Sequence, residues 1–502
     1  MRKFFNEWRW IILGGLAVLI LALYLRIYNL TILPVFADEA IYVRWAQVMR
    51  AEPTLRFLPL SDGKQPLFMW LVIPFLKMFS DPLFAGRFTS VVAGLATLVG
   101  IFLLSFTFFK SKKVSLIAAS IYALSPFSVF FDRMALVDSL LTTFGVWTLL
   151  GAIFTARTLR MDFAMLTGFA LGGGLLTKSP ALFFVLLSPL TWVFSKRLIK
   201  LSLLFMVTLA IGYGMYNILR LGPNFNMIAL RNGDYVYPLS HLWTRFWDPL
   251  FPFFDRSFEW ILALGPGIIL FLLMGGLFFN LKKFPRETAI LSLWFLVPIL
   301  VQAEFAKVFT ARYILFSLPY LYILAASAFL EKKELVKKFL TLGFIVFVFS
   351  AVKIDYLLLT DPEKVNLPRS ERSGYLEEWT AGYGLKEVSE YLVSELNKKP
   401  AQTIVVGTEG YFGTLPDGLQ IYVNDFRNII VIGVGLPVAE VDKSLLDSKK
   451  AGNKTYLVVN SNRFWGEEEE LGLKLLAAYP KAVKPDGSRE TLLFFEVTEK
   501  AL

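Results

Sequence analysis

The chain has 502 residues, 56% hydrophobic and only 18% charged, with a formal net charge of +11 and a mean hydropathy of +0.57. A water-soluble protein of this length cannot solvate so much apolar surface, so the composition implies a membrane protein. With no cysteine and a single histidine, His241, disulfides, thiolate catalysis, Cys-type metal sites and a multi-His zinc centre within one chain are excluded.

The first apolar stretch, about Trp10 to Tyr28, follows Arg2, Lys3 and Arg9. It runs into Tyr24-Leu-Arg26 without a small-residue cleavage site, so it reads as a retained span. Basic clusters recur at Lys110-Ser-Lys112-Lys113, Arg157 to Arg160, Lys196-Arg197 with Lys200, Lys282-Lys283 with Arg286, and Lys332 to Lys338. Together with the amino terminus they form a cytoplasmic set under the positive-inside rule. The net charge is therefore a topology signal. No basic tail or recognition motif supports a nucleic-acid partner.

This placement predicts about eleven transmembrane helices by the apolar-length rule, at roughly 9–28, 88–109, 114–131, 136–156, 163–177, 180–195, 201–219, 258–280, 287–303, 309–330 and 339–359. The expected fold class is an α-helical polytopic membrane protein of the cell membrane. Its amino terminus is cytoplasmic and its carboxy-terminal α/β domain extracytoplasmic. The stretch 66–79 is short and bracketed by Pro66 and Pro74. It would invert every later loop if it crossed, so a juxtamembrane or re-entrant helix is expected.

Three outer regions of substance follow. The first is the loop 29–87. The second is 220–257, rich in aromatics and turn residues. The third begins near 360, where the composition turns polar. Two domains are expected: a membrane domain over 1–360 and an α/β domain over 361–502. In the latter, Leu385, Val388, Leu392 and Leu396 recur at helical spacing. Thr403-Ile-Val-Val, Ile429-Ile-Val-Ile, Tyr456-Leu-Val-Val and Leu492-Leu-Phe-Phe read as strands. Gly433-Val-Gly435 is too little for a nucleotide-binding fingerprint and reads as a strand-turn glycine pair.

The first outer loop carries the most chemistry. Asp38 and Glu39 open a helical pattern in which Ile41, Trp45, Val48 and Met49 lie near one face. The pattern predicts an amphipathic helix in the membrane interface. Acids in a first turn can cap the helix. Alternatively, one of them is a general base that takes a proton from an acceptor hydroxyl. Lys64 precedes Gln65-Pro66 on an extended turn. Further cations at outer ends of spans are Arg87, Arg133, Lys178, Lys307 and Arg312. Singly, each can anchor at headgroup level; converging, they form a site for a phosphate leaving group. Asp138, at the start of a span, is a site candidate, with pairing to Arg133 as the structural alternative.

These motifs resemble the GT-C fold membrane glycosyltransferases of the dolichyl-phosphate-mannose protein mannosyltransferase and aminoarabinose transferase type (glycosyltransferase family 39). The resemblance covers about the first 320 residues. Asp38-Glu39 is similar to the family's acidic pair. Lys64-Gln65-Pro66-Leu-Phe-Met-Trp70 is similar to its Lys-Pro-Pro-Leu-aromatic motif, with Gln65 in place of the first proline. Arg133 to Asp138 resembles its Arg…Asp segment. Thr177-Lys178-Ser179-Pro180 resembles its Thr-Lys-Gly motif, with Ser179 in place of glycine. Lys307 to Arg312-Tyr313 and Pro319 resembles its basic-Arg-Tyr…Pro element. The carboxy-terminal segment does not match the MIR repeats of the eukaryotic members.

The resemblance implies inverting transfer of a sugar from a polyprenyl-phosphate donor to a hydroxyl of a protein, lipid or glycan on the outer face. Asp38 is then the catalytic aspartate, acting as general base, and Glu39 orients it or binds an optional divalent ion. Lys64, Arg133, Lys178 and Arg312 bind the donor phosphate. No cofactor is required, and membrane lipids are partners. The alternative is a transporter or flippase for a lipid-linked sugar. The absence of repeated halves and of an acid at mid-span speaks against it.

Overall fold

The computed structural model describes residues 2–502, with side chains from Trp8 onward. The side chains of Arg2 and Lys3, expected among the cytoplasmic charges, lie outside the described residues.

Seven helices are long and apolar enough to cross a membrane: Trp8–Ile27, Pro82–Phe109, Val137–Thr158, Leu198–Leu221, Pro285–Phe305, Ala311–Leu330 and Glu334–Thr360. Two further apolar pairs are broken. Lys112–Leu124 with Pro126–Asp132 bends by 59°, and Leu250–Leu264 with Ile268–Asn280 by 110°. The sequence supplies both breaks. Pro126 lacks an amide hydrogen and forces Ser125 out of the helical region, to ψ 118°. Gly265-Pro266-Gly267 interrupts the second pair. Counting each bent pair as one span gives nine among the described residues, against the eleven expected.

The remaining two expected stretches fall on shorter apolar helical segments, Met161–Thr177 and Ser179–Phe194. The first has 17 residues. At 1.5 Å per residue it reaches about 26 Å, short of the roughly 30 Å hydrocarbon core. The helix Leu67–Phe75 has 9 residues and is far too short to cross. The chain is a multi-pass membrane protein.

The chain divides into two compact units. The membrane unit comprises Met1–Leu30, Thr54–Leu71 and Arg87–Pro368; the second comprises Thr31–Pro53, Val72–Gly86 and Arg369–Leu502. Two segments of the 29–87 loop thus group with the carboxy-terminal part.

Inside the membrane unit, polar groups lock the helix Trp8–Ile27. Fully buried Arg26 donates from Nε to Asp132 Oδ2 at 2.9 Å and from Nη1 to the Ala123 carbonyl at 3.1 Å. The Tyr122 hydroxyl donates to the same Asp132 oxygen at 2.8 Å. A Cβ at Gly94 would stand 2.4 Å from Asp132 Oδ2, so a glycine is needed where that carboxylate comes close. Asp355, near one end of Glu334–Thr360, is buried, and neither of its carboxylate oxygens is hydrogen-bonded among the described residues.

The second unit holds a five-stranded sheet. Its strands are β3 (Ile404–Thr408), β4 (Ile429–Gly433), β5 (Lys454–Asn460), β6 (Leu473–Pro480) and β7 (Thr491–Val497), in the order β4-β3-β5-β7-β6. β3 pairs parallel with β4 and β5; β7 pairs antiparallel with β5 and β6. Four of these are the strands expected from the apolar runs. β6 was not expected. It is an edge strand that ends in Pro480 and carries an irregularity between Leu475 and Ala477, so its sequence lacks a clean alternation. The helix Leu385–Lys398 buries Leu385, Val388, Leu392 and Leu396. One part of the core joins Val405, Leu457, Val459, Phe495 and Val497. A second, two-stranded ribbon pairs β1 (Val35–Phe36) with β2 (Ala381–Gly382).

Lys481 is 1% exposed, and its ammonium donates to the Glu378 carbonyl at 2.9 Å. Burial pulls its pKa down to about 8. The unfolded value is about 10.4, so between these values the unfolded chain holds more protons and stability rises with pH. Wild type should therefore gain more stability from pH 8 to pH 10 than Lys481→Met. Denaturation midpoints of the two proteins across that window check this.

Candidate functional site

The helix that carries the acid pair spans Ala37–Ala51 and starts directly after β1. Glu39 Oε2 accepts the Phe36 amide at 3.0 Å, and Glu39 is fully buried. Glu39 therefore caps the start of the helix. Asp38 is half-buried. Successive helical residues are about 100° apart around the axis, so the two carboxylates leave the helix in different directions. The helix is not the interfacial amphipathic one expected. Ile41, Trp45 and Met49 are buried, and so are Ala40, Tyr42, Val43 and Ala46. The Trp45 ring lies 5.9 Å from that of Phe412. The apolar spacing is that of a helix enclosed by protein.

The cations gather within the membrane unit. The helix Met161–Thr177 stops ahead of Pro180, which has no amide hydrogen to continue the helical ladder, and Lys178 is extended at φ −163°, ψ 145°. Its ammonium meets Asp138 Oδ1 at 2.7 Å, with side-chain exposures of 23% and 4%. Asp138 thus pairs with Lys178 and not with Arg133. The same ammonium lies 4.2 Å from the centre of the Tyr313 ring. The Arg312 guanidinium lies 5.6 Å from that ring. Two candidate cations share one tyrosine.

Lys64 joins through its neighbours. Gln65 donates to Ser179 Oγ at 3.0 Å, which ties the Lys64 turn to the Lys178 turn. The Lys64 ammonium lies 5.3 Å from the centre of the Tyr235 ring. Arg231 pairs with Asp62 at 2.7 Å, and that carboxylate raises the Arg231 pKa. Gly63 has φ 68°, and a Cβ there would stand 2.7 Å from Arg231 Cβ. Glycine supplies both the left-handed turn and the close approach. Lys307 donates its amide to the Tyr235 carbonyl at 2.8 Å.

Arg133 is a correction. It is 2% exposed. Nη1 donates to the carbonyls of Leu25 at 3.0 Å and Tyr28 at 2.6 Å, and Nη2 to Asn29 at 2.7 Å. Its guanidinium closes the carboxyl end of the first helix, where carbonyls lack amide partners. Arg87 is likewise buried and donates to the Leu30 carbonyl at 2.9 Å. Arg231 also pairs locally with Asp234 at 2.8 Å, but the contacts that join Tyr235 and Arg231 to this region, with Lys64 and Asp62, come from far away along the chain and left no signal in the sequence.

No group of three or more His, Asp or Glu side chains that could hold a metal ion occurs among the described residues. Glu39 Oε2 is engaged by a backbone amide.

The family model for dolichyl-phosphate-mannose-protein mannosyltransferase matches residues 63–215. That stretch contains Lys64, Asp138 and Lys178. No curated protein sequence matches the chain. Among solved structures, ArnT from Cupriavidus metallidurans in the apo state superposes with a TM-score of 0.58 at 13% identity, covering 97% of this chain and 98% of that one. The same protein bound to undecaprenyl phosphate gives 0.58 at 14% identity, with 97% and 98% covered. The chain has the GT-C fold. The oligosaccharyltransferase AglB from Archaeoglobus fulgidus, in complex with an inhibitory peptide and a dolichol-phosphate, gives 0.50 at 12% identity over 99% of this chain and 75% of that one. At these identities the likeness is one of fold.

Proposed function

We propose that the protein is a membrane glycosyltransferase that moves a sugar from a polyprenyl-phosphate carrier to a hydroxyl acceptor. The observation that carries this reading is the shared ring of Tyr313, flanked by Lys178 and Arg312, with Lys178 held by Asp138. Convergent, partly exposed cations stabilise a departing phosphate. The structures that share the fold include one with bound undecaprenyl phosphate and one with dolichol-phosphate.

In the reaction the acceptor oxygen attacks the anomeric carbon as the bond to the phosphate oxygen breaks. Asp38 takes the acceptor proton. Lys64, Lys178 and Arg312 neutralise the charge that builds on the polyprenyl phosphate. A single displacement inverts the anomeric centre. The carrier phosphate is already activated, so no nucleotide is consumed. Arg133 has no part in this set, because its donors face backbone carbonyls.

Reconstituted vesicles test the reading. With a polyprenyl-phosphate sugar and a hydroxyl acceptor, a new glycosidic product is expected. Movement of the donor across the bilayer without any product would make the protein a flippase.

The cell membrane is the proposed location, with the amino terminus inside and the carboxy-terminal domain outside. The lysine and arginine clusters support this orientation. A reporter that is active only outside the cytoplasm, fused after Leu502, should be active. A well-expressed but silent fusion overturns the orientation.

A further inference from the structure

We infer that the carboxy-terminal domain holds the Asp38 helix in register, with Gln47 and Gly418 as positioning residues. The inference rests on the reading of Asp38 as the base.

All the groups involved belong to the second unit. The chain enters the helix through the β1–β2 ribbon, where Val35 pairs with Gly382 and Phe36 with Ala381. The first helical amide, that of Ala37, donates to the Thr380 carbonyl at 3.0 Å. The Phe36 and Tyr375 rings pack 4.5 Å apart. The segment that provides these partners is itself pinned. Fully buried Glu377 accepts from Arg372 Nε at 2.8 Å and also pairs with Arg369. The residue next to Ala37 is Asp38, so the ribbon sets where the acid begins its path.

A grip at one end would leave the helix free to turn about its axis. A second grip removes that freedom. Gln47 Nε2 donates to the Ile421 carbonyl at 2.8 Å, and Arg44 donates to Asn424 Oδ1 at 2.6 Å. Both partners lie on or just after the helix Asp417–Val423. At the head of that helix, a Cβ on Gly418 would stand 3.6 Å from Ala40 Cβ, 3.6 Å from Val35 Cγ1 and 2.7 Å from Leu385 Cδ1. An alanine there meets mainly the movable end of a leucine. A larger side chain would press on Ala40 and Val35, which flank Asp38. With two grips more than two turns apart and a close contact between them, the position from which the Asp38 side chain leaves the helix is fixed. A general base needs that, since a displacement of about 1 Å can cost on the order of a hundredfold in rate.

The full chain in vesicles tests this with Gln47→Met, Gly418→Ala and Gly418→Val, beside Asp38→Asn. For Gln47→Met and Gly418→Val, kcat should fall on the order of tenfold to a hundredfold. Donor KM should stay within about twofold of wild type, because these residues act on the base and not on the phosphate. Gly418→Ala should stay close to wild type. Wild-type kcat in folded Gln47→Met overturns the inference, as does a parallel loss of kcat, donor binding and thermal stability in that variant. If Gly418→Val does not fold, Gln47→Met decides alone. An active Asp38→Asn would mean that the base reading itself has failed. An inactive Asp38→Asn beside a fully active Gln47→Met would mean that only the positioning inference has.

Discussion

Asp38→Asn should lower sugar transfer by on the order of a hundredfold to ten-thousandfold while leaving expression, folding and donor binding in place. The size follows from the loss of a general base. The amide keeps the shape of the carboxylate but does not take up the acceptor proton. The main competing explanation is that Asp38 is needed as a cap, and asparagine, itself a good capping residue, preserves that role. The first turn is capped by Glu39, whose carboxylate accepts the Phe36 amide. The neighbouring acid supplies the control. Glu39→Gln keeps an oxygen for that amide and should retain most activity and stability. Glu39→Ala loses the cap and leaves a gap in a fully buried position. It should cost about 1 kcal/mol or more of stability. Transfer from a polyprenyl-phosphate sugar and thermal denaturation, measured on all three variants, separate the two acids. Near-normal transfer by Asp38→Asn would remove Asp38 from catalysis.

Features carried by local periodicity were legible in the sequence. Leu385, Val388, Leu392 and Leu396 lie on one face of a helix and are buried as that spacing requires. The central strands β3 and β5 appeared as short apolar runs, because strands covered on both faces need no alternation. What depends on partners far along the chain was not legible. An arginine beside a membrane span looks the same whether it faces a phosphate or the carbonyls at a helix end. Arg133 does the latter, and only the fold brings Leu25 and Tyr28 to it. The acid helix shows the same limit. Trp45 and Ile41 signal an apolar face, but not whether lipid or protein covers it. The difference between nine long or bent spans and the eleven expected has a local origin that the sequence also holds. Pro126 and Gly265-Pro266-Gly267 bend apolar stretches that hydropathy alone reads as continuous, and the two stretches on either side of Lys178 form only short apolar helices.

Lys178→Ala should lower transfer by on the order of a hundredfold to a thousandfold, the range seen when one donor to a developing anion is removed. It should also destabilise the protein, and the two effects need separating. Among the described residues, the Asp138 carboxylate is held by the Lys178 ammonium at 2.7 Å, and its Oδ2 has no hydrogen-bonding partner. Asp138 is 3% exposed. Removing the lysine strands a buried charge, which costs about 3–5 kcal/mol in fully buried pairs. Lys178 is partly exposed, so water reaches the pair and the cost should be smaller. The double variant Lys178→Met/Asp138→Asn removes both charges and keeps side-chain bulk against Tyr313. Thermal stability should return close to wild type, while transfer stays as low as in Lys178→Ala. Asp138→Asn alone keeps the ammonium and should lose less than about tenfold in transfer, since the positive charge is what the phosphate needs. Recovery of transfer together with stability in the double variant would sink the phosphate role and leave Lys178–Asp138 as a structural ion pair. Persistent loss of transfer in a stable double variant would mean that the charge itself is needed for the reaction.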